Sequence, residues 1–129
     1  MSKQLQAVSE SGFQTDVSVG DHDVHIDAGG EASPDTIEGL LAHYAACYVP
    51  ALRVGGEQRG VDDLGQIDNT VEGEVNDDGK LTAISFDITV DADVSDEKAE
   101  QIVDRANALC KVHDALKTDL HADVSLTSA

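Results

Sequence analysis

An α+β fold, with a mainly antiparallel sheet and two or three helices, follows from three features of the sequence. Alternating apolar segments come in pairs joined by turn residues, which is the pattern of hairpins. Two longer segments repeat apolar residues at intervals of three and four, which is the pattern of helices with one buried face. The strands do not alternate one for one with helices, as a parallel βαβ sheet requires. The length of 129 residues suits a single domain spanning 1–129.

The first alternating segment runs from Gly12 to Asp27. Phe13, Thr15, Val17 and Val19 form one line, Val24 and Ile26 another, and Gly20-Asp21 marks the turn between them. A loop rich in Gly, Ser and Pro follows, from Ala28 to Pro34. The first helix starts with Asp35 or Thr36 as its cap. Ile37, Leu40, Leu41, Tyr44, Tyr48, Ala51 and Leu52 form its apolar stripe, and Cys47 belongs to that stripe. Pro50 removes an N–H inside the pattern and predicts a bend, and Gly55-Gly56 predicts the helix end.

Gln66 to Val75 and Leu81 to Val90 form the clearest hairpin, turned by Asn76-Asp77-Asp78-Gly79. Ser95 caps a second helix whose first turn carries Asp96 and Glu97, the favourable sign for that end. Its buried line is Ala99, Ile102, Val103, Ala106, Leu109 and Cys110, and the pattern continues past a break through Val112 and Leu116. Leu120, Ala122, Val124 and Leu126 alternate with polar residues as a last strand.

Charge excludes several partners. Asp and Glu number 26 against 8 Lys and Arg, a formal net charge of −18. Nucleic acid and anionic membrane surfaces both need clustered cations, so neither is an expected partner. The acids are spread along the chain, as in Asp62-Asp63, Asp77-Asp78 and Asp96-Glu97, so they cover a folded surface rather than a tail. Such a surface repels itself, and concentrated cations screen it, which predicts a protein adapted to a salt-rich cytosol. The N-terminal residues carry no signal-peptide pattern and no segment has the length of a membrane span, so a cytoplasmic location is expected.

The chemistry-bearing residues are the two cysteines, Cys47 and Cys110. Both lie on helical stripes, and only folding brings residues so far apart together. A second thiol can trap an oxidised first one, so the pair suits redox work. The competing reading is that both are small buried hydrophobes. Asp21-His22-Asp23 with His25 carries metal-ligand residue types, but strand alternation puts His22 and His25 on opposite faces, so no metal is expected. Gly29-Gly30 lacks the continuation of a phosphate-binding loop, and no cofactor is expected.

Pro34, Glu38, Leu40-Leu41 and then Tyr44-Ala45-Ala46-Cys47 resemble the helix signature of the OsmC/Ohr family. Ala108 to Leu116, with Cys110 followed by Val112-His113, resembles its second motif, and the likeness runs from about Phe13 to Leu126. The resemblance implies a thiol-dependent hydroperoxide reductase built as an interwoven homodimer, taking small organic hydroperoxides and regenerated by an external dithiol. It implies Cys47 as the peroxidatic and Cys110 as the resolving cysteine, closing a disulfide, with Glu38 at the family's active-site glutamate. The family's arginine before the first helix has no counterpart. The first arginine is Arg53, and the segment Ile26-Asp27-Ala28 offers an acid instead. Without a cation, the Cys47 thiol is expected to keep an ordinary pKa and react slowly. His43 and His113 are the candidate sources of positive charge, with solvent-facing or merely hydrogen-bonded histidines as the alternative. The resemblance therefore also admits a dimeric scaffold that has lost efficient peroxidase chemistry and serves as a binding or redox-sensing module. Lys111 stands where the family usually has proline after the second cysteine.

Overall fold

The computed structural model describes all 129 residues, with strands β1 (Gln6–Val8), β2 (Gln14–Val19), β3 (His22–Asp27), β4 (Ile67–Val75), β5 (Leu81–Val90) and β6 (Asp123–Ser128). The helices are α1 (Thr36–Gln58), α2 (Asp96–Leu109) and the five-residue α3 (Lys111–Ala115), followed by a 3₁₀ turn at Thr118–Leu120. The α+β class holds, as two three-stranded sheets rather than one. The chain divides into two compact units, Met1–Leu40 and Leu41–Ala129.

The first unit holds the antiparallel sheet β1-β2-β3. Val19 pairs with His22, so the β2–β3 loop is the two residues Gly20-Asp21. Gly20 has φ of +59°, where a side chain would be strained, and glycine at this position is what a type II′ turn demands. Phe13, expected in line with the strand, precedes β2 and is exposed. Asp27 closes the unit's long loop. Its carboxylate accepts the N–H groups of Gly29 (2.9 Å), Glu31 (3.1 Å) and Ala32 (2.9 Å), and those bonds hold its pKa below the usual carboxylate value. α1 opens with a reciprocal capping box. Glu38 N–H donates to Asp35 Oδ1 (2.7 Å), and Asp35 N–H donates to Glu38 Oε1 (3.0 Å).

The second unit contains the core. Its sheet has the order β4-β5-β6, with β4 antiparallel and β6 parallel to the central β5. The alternation of β5 buries Ile84, Phe86, Ile88 and Val90. Against them lie Tyr44, Tyr48 and Leu52 of α1 and Ile102 and Ala106 of α2, all buried. The Tyr44 ring meets Phe86 edge to face at 4.7 Å and Tyr48 meets it at 5.1 Å. Gly73 sits on β4 where a Cβ would lie 2.8 Å from Leu41 Cδ1, so any side chain there would make the Leu41 and Leu81 side chains shift.

Two element boundaries differ from expectation. α1 runs through Pro50, Gly55 and Gly56 to Gln58. The glycines serve close approach rather than termination. A Cβ on Gly55 would stand 3.2 Å from the Ile102 carbonyl oxygen of α2, and one on Gly56 would stand 3.2 Å from the Val61 carbonyl oxygen. The last strand starts at Asp123, later than the alternation from Leu120 implied. Leu120 instead belongs to the 3₁₀ turn, and Leu120 and Ala122 fill the edge of the core. α2 begins as expected, with Ser95 Oγ accepting the Lys98 N–H.

Candidate functional site at the paired thiols

The helical stripe of α1 carries Cys47 inward one turn beyond Tyr44, and the break between α2 and α3 carries Cys110. Cys110 has extended backbone angles (φ −73°, ψ 114°), ending α2 and starting α3 at once. Its N–H still donates to Ala106 O (2.9 Å), and its sulfur accepts the N–H of His113 (3.4 Å). The expected break in the helical pattern is therefore this residue, and its thiol acts as the cap of α3.

The two cysteines are free thiols, near enough for each to influence the ionisation of the other. Cys47 is half-buried and Cys110 is 1% exposed. Their environments push them apart. The Cys47 thiol lies below its ordinary pKa, chiefly through the Val112 backbone amide. Cys110, the Lys111 N–H and the Lys111 charge act in the same direction, while burial opposes them. The Cys110 thiol is pushed up by burial and by the neighbouring Cys47 sulfur. Of the two, Cys47 ionises first. The expectation of an unperturbed Cys47 without an arginine is thus not met. The lowering comes chiefly from neutral backbone donors, not from a guanidinium.

Cys47 opens on a cleft of about 410 Å³ lined by Pro50, Ala51, Val54, Leu109 and Lys111. Its wall is apolar except at Lys111, so an oxidant with a hydrocarbon portion fits there better than a strongly hydrated one.

The remaining predicted site residues lie as follows. The His113 imidazole makes no hydrogen bond to either thiol. Its Nδ1 lies 2.6 Å from the Tyr44 hydroxyl, and its ring stacks on His121 at 3.8 Å between centroids. Burial and His121 push its pKa down, so at neutral pH the ring brings no charge. Only its backbone N–H reaches a sulfur. His43 is exposed on α1. Glu38 is engaged in the capping box described above. Arg53 donates to the Gly65 carbonyl oxygen (2.9 Å). His25 pairs with Asp16 at 2.7 Å, and no group of three or more His, Cys, Asp or Glu is arranged to hold a metal ion. No helix is long and apolar enough to cross a membrane.

The sequence reading missed the Tyr44 hydroxyl, His121 and the amides of Lys111 and Val112. Tyr44 read as a core aromatic, and amides carry no side-chain signal. One clue was available, since a buried tyrosine needs a partner for its hydroxyl.

Residues 28–125 match the family of OsmC-like proteins. The chain belongs to that family. A relative from Haloferax volcanii, described as an uncharacterized protein, is 43% identical over 123 residues, covering 95% of this chain and 93% of its own. Solved structures share the fold of this OsmC-like protein. An OsmC-like protein from Mycoplasma pneumoniae matches with a TM-score of 0.85 at 16% identity, covering 100% of this chain and 98% of its own. An organic hydroperoxide resistance protein OsmC from Legionella pneumophila matches with 0.71 at 20% identity, covering 100% and 97%. The organic hydroperoxide resistance protein OhrB of Bacillus subtilis matches with 0.68 at 20% identity, covering 100% and 98%.

Proposed function

We propose that this OsmC-like protein is a thiol-dependent hydroperoxide reductase acting on organic hydroperoxides in the cytoplasm, as a homodimer in which residues 1–129 act as one domain. The carrying observation is the pair of neighbouring free thiols, with Cys47 biased toward thiolate beside an apolar cleft. The Cys47 thiolate attacks one oxygen of the peroxide. An S–O bond forms, the O–O bond breaks, and the leaving alkoxide takes up a proton to become an alcohol. Sulfur loses two electrons and the peroxide gains them. Cys110 then attacks the sulfenic sulfur, a disulfide forms, and water leaves. An external dithiol returns two electrons and restores both thiols. The cleft beside Cys47 seats the hydrocarbon portion of the substrate. Glu38 enters this reading only through the family's glutamate.

The test is consumption of cumene hydroperoxide and of hydrogen peroxide with dithiothreitol. Wild type is expected to turn over the organic peroxide faster, Cys47→Ser to lose turnover, and Cys110→Ser to stop at a sulfenic acid that dimedone traps. A wild-type rate equal to that of Cys47→Ser removes the enzyme reading.

One observation favours a second reading, a scaffold used for binding or redox sensing. No arginine precedes Arg53, and Asp27, in the segment where the family carries one, gives its carboxylate to three loop amides. That reading predicts disulfide formation between Cys47 and Cys110 under mild oxidants, without peroxide turnover.

A further inference from the structure

We propose that the cleft beside Cys47 selects amphiphilic anions, molecules with a hydrocarbon body and one carboxylate, and that Lys111 is the residue that reads the negative group. For the reaction this rests on the peroxidase reading above, and the substrate then becomes a hydroperoxide of that class. For binding it rests on the cleft alone.

Two parts of the cleft make different demands on a ligand. Pro50, Ala51 and Val54 of α1 and Leu109 of α2 give it an apolar wall, and Val54 is 43% exposed. Hydrocarbon laid against such a wall removes apolar surface from water. Lys111 is the one charged residue in the lining. A carboxylate carried on a hydrocarbon body satisfies both parts at once. A neutral hydrocarbon leaves the ammonium without a partner, and a small hydrated anion leaves the wall uncovered.

The charge of the chain narrows the choice further. At a net −18 the protein repels anions over most of its surface. An anion settles only where a local cation offsets that field, and that cation must be free to receive it. Arg53, Arg59, Lys98 and Arg105 each donate to an oxygen of the protein. The Lys111 ammonium has no such bond and no carboxylate within 4.0 Å. Lys111 is also the first residue of α3, directly after Cys110, and it lines the same cleft as Cys47. A ligand held by its carboxylate there keeps its body beside the thiol. The competing role for an exposed lysine is an aliphatic stem covering apolar surface. Lys111→Met separates the two, because it keeps a stem and loses the charge.

The test needs no peroxide. Alkylation of Cys47 by iodoacetamide is followed by mass spectrometry at 0.1 M KCl, with octanoate, octanamide or acetate as protecting ligand, and the readout is the concentration giving half protection. Octanoate is expected to protect wild type and acetate is not. Lys111→Met should weaken octanoate roughly threefold and Lys111→Glu roughly tenfold, as one screened charge contact is lost and then reversed. Lys111→Arg should restore octanoate to within about twofold of wild type, and octanamide should move less than about twofold throughout. Lys80→Met removes the same charge from the β4–β5 turn and should leave octanoate protection unchanged. The proposal is overturned if octanoate protects no better than acetate, if Lys111→Met behaves as wild type, or if Lys80→Met weakens octanoate as much. Consumption of cumene hydroperoxide and of its para-carboxylate derivative is then compared in the same proteins. A preference for the carboxylate that falls in Lys111→Met supports the substrate class, and turnover with an unchanged preference overturns it. Charge-dependent protection in proteins that consume neither peroxide supports the binding role of Lys111 and defeats the peroxidase reading.

Discussion

Raising KCl from 0.1 to 1 M should raise the melting temperature substantially. The chain carries 26 acidic and 8 basic side chains, yet the one ion pair in the structure is His25 with Asp16, and no Lys or Arg lies within 4.0 Å of a carboxylate. The surplus charge is therefore not cancelled locally. Two carboxylates about 7 Å apart repel by ~0.6 kcal/mol in water without salt. With Debye lengths of about 10 Å at 0.1 M and about 3 Å at 1 M, this falls to ~0.3 and then below ~0.1 kcal/mol. If a net charge of −18 supplies roughly ten such pairs, screening returns ~2–3 kcal/mol. At an unfolding entropy of about 0.27 kcal/mol/K for 129 residues, the midpoint rises by about 7–11 °C. The assay is calorimetry in a KCl series, with a variant combining Asp77→Asn, Asp78→Asn, Glu97→Gln and Glu100→Gln at exposed positions. Its slope against salt should be flatter than wild type. A midpoint that moves by less than about 2 °C, or a variant with an unchanged slope, refutes the screening argument.

Two further outcomes follow from the site. His113 has a lowered pKa in the folded chain, so the unfolded chain binds more protons once the pH drops below the ordinary histidine value of about 6.5. Its contribution to stability is complete above that pH and is lost as the pH falls toward the lower folded value. Denaturant melts at pH 7.5 and 5.5 should show this loss in wild type and a smaller one in His113→Asn. At Cys47, the leading influence on the thiolate is the Val112 N–H, and the Lys111 charge comes last. Alkylation at pH 7 should therefore change less than about twofold between 0.1 and 2 M KCl, and Lys111→Met should slow it less than about twofold.

Much of the fold was legible because its signals are local. The β4–β5 hairpin shows in the alternation of Ile84, Phe86, Ile88 and Val90 and in the Asn76 turn, where Asn76 Oδ1 accepts the Asp78 and Lys80 N–H groups. Ser95 and the acids after it mark the start of α2. What misled was residue type without tertiary context. Gly55-Gly56 has the composition of a helix end, but here Gly55 lets α2 approach α1 and Gly56 lets the loop at Val61 and Leu64 do so. Leu120 has the alternation of a strand, but the chain must first turn before β6 can run parallel to β5. At the site, both thiols could be found in the sequence, because cysteine is rare in this chain and lies in recognisable motifs. The donors that act on Cys47 could not, because any residue at positions 111 and 112 except proline brings the same amide.

Those amides change what the missing arginine means. A guanidinium stabilises a thiolate largely through charge, and on an open surface concentrated salt weakens that attraction. A backbone N–H in contact with sulfur is a short-range donor, and distant ions do not screen it. It also adds no formal charge, so it leaves the acidic balance of the chain untouched. The cost moves from charge to geometry. Amides at positions 111 and 112 keep their place only while a five-residue helix does, and that helix is tied by Tyr44, His113 and His121. An absent arginine therefore does not by itself imply an inert thiol.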